Sequence, residues 1–141
     1  MKSVQQAVDA LNEQLVARAE KIVQALGPRD ENQQDVSKSQ LARAIDVARA
    51  AQSAAVFQNW LAYQAGRKET GAFWTTQVGG RPLIRWVEGT LGWIEKEIDA
   101  QQLGDAAVRR QAVTEALVRF LGFLRRAFVG AKFVLERGKE R

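Results

Sequence analysis

The chain of 141 residues contains no histidine and no cysteine, and only two prolines and one tyrosine. Without cysteine there is no disulfide, no thiol nucleophile and no thiolate-held metal. Without histidine there is no Ser-His or Cys-His dyad, no general base with an ordinary pKa near 7, and no imidazole-ligated zinc or di-iron site. Carboxylates, lysines, hydroxyls and a single phenol are all that remain for chemistry. The expectation is a protein that is not an enzyme and carries neither metal nor cofactor. No stretch approaches 18 consecutive apolar residues, so no membrane span is expected. The start, Met1-Lys2-Ser3-Val4-Gln5-Gln6, is polar and lacks the apolar run of a signal peptide, which points to the cytoplasm.

What is present is a chain 46% hydrophobic and 26% charged, too apolar for disorder and of a size for one domain over residues 1–141. The net charge of +5 is unevenly placed. From Arg109 to Arg141 nine basic side chains face only three acidic ones, whereas the first 108 residues hold 12 basic and 13 acidic. Arginines outnumber lysines by 14 to 7, a balance suited to planar, bidentate phosphate contacts.

Apolar periodicity predicts four helical segments and no competing strand alternation. The first runs from the cap Ser3 to Leu26, with Val4, Val8, Leu11, Leu15, Ile22 and Leu26 on one stripe and Gly27-Pro28 as its stop. A polar loop over 29–35 follows. The second runs from Ser37 or Ser39 to Ala65, its middle rich in alanine. Residues 66–80 are expected to be irregular. Pro82 suits the first turn of a third helix over 82–99, and Asp105 caps a last helix over 106–136, about 45 Å long. The segments predict an all-α antiparallel helical bundle of four or five helices with a long C-terminal helix.

Acidic residues are the only catalytic candidates, and the cluster Glu95, Glu97 and Asp99 reads as solvated charge at a helix end. Gly79-Gly80-Arg81-Pro82 lacks the lysine and hydroxyl of a phosphate-binding P-loop. The basic side chains are more informative. Arg119 and Arg126 are seven residues apart, as are Arg125 and Lys132, and such a row can follow a phosphate backbone without reading bases. Arg43, Arg49, Arg67 and Lys68 extend the set of candidate phosphate contacts. The third and last helices carry more apolar surface than one core face needs. Either the core is wide and takes up these large side chains, or the surplus meets other copies or other subunits, with Trp86, Trp93, Phe123 and Phe133 as the candidates for that contact. Phe73, Trp74 and Tyr63 either stack on bases or, more commonly for such residues, plug a loop into the core.

Ser39-Gln40-Leu41-Ala42-Arg43, opening a helix that ends Leu61-Ala62-Tyr63-Gln64-Ala65-Gly66-Arg67, resembles the small helical subunit of type III CRISPR–Cas effector complexes, most closely the Csm-type one. Ala116-Leu117-Val118-Arg119-Phe120, or the later Phe128-Val129-Gly130-Ala131-Lys132-Phe133, is similar to that family's final helix. The resemblance covers about 30 residues well, and the Cmr-type small subunit or another type III variant stands beside it. It implies a non-catalytic role: several copies stack inside the complex, contact other type III subunits, and hold CRISPR guide RNA and target RNA through phosphate and sugar contacts. Sequence would then be read by base pairing.

Three rivals are weighed against this. One is a stand-alone nucleic-acid-binding homo-oligomer, and another is a protein–protein adaptor using the Trp and Phe surface. The third, a helix lying on a membrane, is disfavoured because the aromatics of the last helix continue its core stripe.

Overall fold

The computed structural model describes residues 2–139; Glu140 and Arg141, part of the C-terminal charge, and Met1 lie outside the described residues. Eight helices and one two-stranded ribbon account for most of the chain: α1 (Val4–Asp9), α2 (Asn12–Leu26), α3 (Glu31–Ala51), α4 (Ala54–Gly66), α5 (Gly71–Trp74), β1 (Gln77–Val78), β2 (Arg81–Pro82), α6 (Leu83–Ala100), α7 (Ala106–Val129) and α8 (Ala131–Lys139). The all-α class and the bundle are as the periodicity predicts. Three of the four expected segments, however, are broken in two.

Ser3 caps α1 through a reciprocal capping box with Gln6, but the helix interrupts at Ala10–Leu11 before α2 begins. The second expected helix starts earlier, because Asp30 forms a capping box with Gln33 and draws the polar 31–36 stretch into α3. Ser37 is then not a cap. It is buried within the helix, its hydroxyl donating to the Gln33 carbonyl at 2.8 Å. Gln52 ends α3 in the left-handed region (φ 51°), and the Ser53 hydroxyl accepts from the Val56 N–H to start α4. The last expected helix is interrupted at Gly130, so α7 is 24 residues, about 36 Å, and α8 continues separately.

The break at Gln52 decides the topology. Trp74 donates its indole N–H to Gln40 on α3 and packs its ring on Trp60 of α4, so α4 returns alongside α3. Cross-contacts fix the other directions. Gln34 and Lys38 of α3 meet Phe128 and Arg125 of α7 in reverse order, and Ala7 and Arg18 meet Gln101 and Thr90 of α6 likewise. Asp9 and Glu20 meet Arg119 and Arg137 in the same order, so α1–α2 and α7–α8 run parallel. The result is five alternating passes: α1–α2, α3, α4, α6 and α7–α8.

α7 is the central helix, packed by α1, α2, α3 and α6. Its apolar stripe of Val113, Leu117, Phe120, Leu124 and Phe128 is buried as expected, and so are Val118 and Leu121. Most of the surplus apolar surface therefore belongs to one wide core. The 66–80 segment is less irregular than expected. α5 inserts Phe73 and Trp74 into that core, where Phe73 meets Trp74 edge-on at 4.8 Å and Phe128 at 6.2 Å. A stacking role on bases for these two rings is thereby excluded. Gly79 and Gly80, both at positive φ, turn the β1–β2 ribbon, a conformation that glycine adopts without strain.

Candidate nucleic-acid interface

The eight cations expected at an RNA contact separate into four groups. Arg125, Arg126 and Lys132 make up a broad ridge over the last two turns of α7 and the first turn of α8. Arg125 and Lys132 lie on the side of α3, and Arg126, about 100° round the helix from Arg125, lies on the side of α2. Arg125 donates its Nε–H to the Lys38 carbonyl at 3.2 Å, which holds the side chain against α3 and leaves both Nη groups without a hydrogen-bond partner among the described residues. Arg126 is exposed, with its guanidinium 5.7 Å from the Phe123 ring. Lys132 is exposed, its ammonium 5.8 Å from the Phe133 ring. Among the described residues none of the three forms an ion pair with a carboxylate. Val129 and Phe133, 58% and 66% exposed, stand between these charges.

Arg119 belongs to a different class. Its side chain is only 16% exposed, and Nη1 reaches the Asp9 carboxylate at 2.7 Å and the Asn12 carbonyl oxygen at 3.1 Å. Its Nε donates to Glu115, one turn earlier, at 3.1 Å. Burial draws the guanidinium pKa down, but the bonds to Asp9 and Glu115 outweigh it and leave the pKa raised. This arginine ties α7 to the α1–α2 junction and does not stand on the ridge as a free cation.

Arg43 and Arg49 lie six residues apart on α3, so at about 100° per residue their side chains diverge by about 120°. Both are exposed, but they share no face. Arg67 and Lys68 sit at the end of α4, whose main neighbours are α3, α5 and α6 rather than α7 or α8. There Arg67 pairs with Glu69 at 3.5 Å and lies 5.4 Å from the ring of Tyr63, which is itself exposed. This is a second, smaller cation–aromatic patch, separate from the α7–α8 ridge.

Of the four candidate subunit contacts, three are engaged within the chain. Trp86 donates its indole N–H to the Val78 carbonyl at 2.8 Å, and its half-buried ring fastens the β ribbon to α6. Trp93 is half-buried beneath Arg18, whose guanidinium lies 4.4 Å from its ring centre. Phe123 is half-buried between α7 and α2, in a groove shared with Val16, Arg126 and Arg137. Only Phe133 presents a largely free ring.

The acidic cluster at the end of α6 is structural. Arg109 pairs with both Asp99 and Glu95, and the hydrogen bond from Arg109 holds the Asp99 carboxyl below its ordinary pKa. No group of three or more Asp and Glu side chains capable of holding a metal ion occurs among the described residues. No described helix is long and apolar enough to cross a membrane.

A further cluster escaped the sequence reading: Arg18, Lys21 and Arg81 converge between α2, the β ribbon and α6. The i,i+3 spacing of Arg18 and Lys21 was visible locally, but Arg81 joins them only through the tertiary fold. The chain matches no protein-family model, no curated protein and no solved structure.

Proposed function

We propose that this chain is a non-catalytic RNA-binding structural subunit of a type III CRISPR ribonucleoprotein effector, working in the cytoplasm. In this reading several copies stack alongside other type III subunits. The α7–α8 ridge follows the phosphates of the guide–target RNA, while base pairing supplies sequence specificity. The observation that carries the reading is the ridge itself. Arg125, Arg126 and Lys132 have no carboxylate partner among the described residues, although Arg67, Arg85, Arg109, Arg119 and Arg137 do. Cations clustered at the α7–α8 junction, with an exposed ring among them, suit a polyanion that is also partly apolar. The resemblance of the α3–α4 residues to type III small subunits supplies the complex in which that polyanion is CRISPR RNA.

The test is purification of the tagged protein from its native host, with sequencing of bound RNA and mass spectrometry of bound proteins. Recovery of repeat-derived guide RNA with large CRISPR subunits is the expected result. Recovery of RNA of other origin would contradict the CRISPR assignment while keeping the ridge as an RNA site. A protein free of nucleic acid would contradict both. The exposed Val129–Phe133 pair favours a second reading, a protein–protein adaptor. That reading expects partner binding that is insensitive to salt and lost in Phe133→Ser.

A further inference from the structure

The cleft between α2, the β ribbon and the first half of α6 has a volume of about 360 Å³ and is lined by Arg18, Lys21, Arg81, Trp86, Gly89 and Thr90. Three cations and a hydroxyl line it, and no carboxylate does. Each arginine is held in place by an aromatic ring. Arg18 lies over Trp93 at 4.4 Å with Nη1 at 3.5 Å from the Thr90 hydroxyl. Arg81 lies 5.3 Å from the Trp86 ring centre and donates through Nη2 to the Arg85 carbonyl at 3.3 Å. That guanidinium passes over Gly89 of α6, where a methyl group would make ordinary van der Waals contact with Nη2 at 3.8 Å. The Trp86 indole in turn anchors the ribbon that carries Arg81.

Lys21 completes the group from α2, exposed and without a hydrogen bond or ion pair among the described residues. The surroundings do little to neutralise this charge. Arg85 is paired with Glu88, and the one acidic side chain acting on Arg18 is Glu97, whose pull is smaller than the effect of burial. Three like charges around one partly desolvated concavity repel one another until an anion joins them.

We propose that this cleft binds the phosphoryl group of a phosphate monoester, clasped by Arg18, Lys21 and Arg81, with the Thr90 hydroxyl as a further hydrogen-bonding partner. A concave site lined by three cations and a hydroxyl matches a compact dianion, whereas a passing phosphodiester brings a single charge and suits an open ridge. The cleft shares no residue with Arg125, Arg126 and Lys132, so it stands whether or not the chain binds RNA along α7.

The experiment follows the Trp86 indole N–H and the Arg18, Arg81 and Thr90 amides by NMR at low ionic strength. Inorganic phosphate is added first, then a short oligonucleotide with and without a 5′-phosphate. Saturable shifts at these four residues from inorganic phosphate and from the phosphorylated oligonucleotide only are the expected result. Lys21→Gln, which removes no hydrogen bond or ion pair among the described residues, is expected to weaken phosphate binding about tenfold, the size of one lost hydrogen bond to a charged group. Absence of shifts with inorganic phosphate would overturn the proposal, and so would an unchanged affinity in Lys21→Gln. An equal response to the unphosphorylated oligonucleotide would overturn it too, since the cleft would then be reading the backbone rather than a terminal phosphate.

Discussion

Arg119 and Arg126 lie on one stripe of α7, two turns apart, yet only one of them is free to meet a ligand. Arg119 bridges Asp9, Asn12 and Glu115 and is largely buried, whereas Arg126 is exposed against the Phe123 ring. Arg119→Gln should lower the unfolding free energy by about 1–2 kcal/mol in urea denaturation, the cost of stranding part of a charge-assisted network. Affinity for single-stranded RNA should change little. The opposite pattern, intact stability and lost binding, would move Arg119 back onto the contact surface. The local half of this network was legible, because Glu115 precedes Arg119 by four residues. Its other half, Asp9, is 110 residues away and enters only through packing.

A second residue-scale prediction concerns pH. The Asp99 carboxyl, bonded to Arg109, titrates below its ordinary value of 3.8. A carboxyl depressed in the folded state contributes its stabilisation above the unfolded pKa and loses it as pH falls through the folded one. The Asp99 carboxyl resonance should therefore titrate below the ordinary aspartate range, and Arg109→Gln should return it to that range. A titration unchanged by that substitution would contradict the pairing.

At the scale of elements, helix identity followed from periodicity, but helix ends did not. Of the apolar side expected for the second helix, Leu41, Ala48, Phe57 and Leu61 are buried, Ile45 and Trp60 half-buried and Ala55 exposed, and two antiparallel helices rather than one present them. A strong helix former stands at nearly every position from Ala48 to Ala55, and the reversal rests on Gln52 in a left-handed conformation where glycine is the usual signal. Ser53 was the one local cue. Ser53→Ala should cost about 1 kcal/mol by removing the bond to the Val56 N–H. The capping box at Asp30 was equally local, since Gln33 stands three residues on, but the polar composition of 29–35 reads first as a loop.

The aromatic plug shows the same division. Fully buried Trp74 joins α5 to α3 and α4 through Gln40 and Trp60, so Trp74→Ala should destabilise the fold by about 3–5 kcal/mol. A loss under about 1 kcal/mol would show that α5 is not part of the core.

At the scale of the whole molecule, the excess of basic residues after position 108 falls on α7 and α8, but counting charge does not say which cations share a surface. Sequence spacing grouped eight side chains as one surface. Folding leaves three of them on the α7–α8 ridge, sends Arg67 and Lys68 to the end of α4, and turns Arg43 and Arg49 apart. It also assembles a compact cationic cleft from residues 18, 21 and 81, which no linear pattern joins. Charge counts survive folding unchanged, but whether each charge is free depends on which carboxylates come within reach.

The claim that the ridge binds RNA is tested most directly by the salt dependence of single-stranded RNA affinity, measured for the native protein and for Arg125→Glu/Arg126→Glu. Each phosphate contact contributes a slope of about −0.7 in log K against log salt on single strands. The account predicts a shallower slope, by about 1.4 for the double variant, with weaker binding and the bundle still folded. An affinity and slope equal to those of the native protein would contradict it.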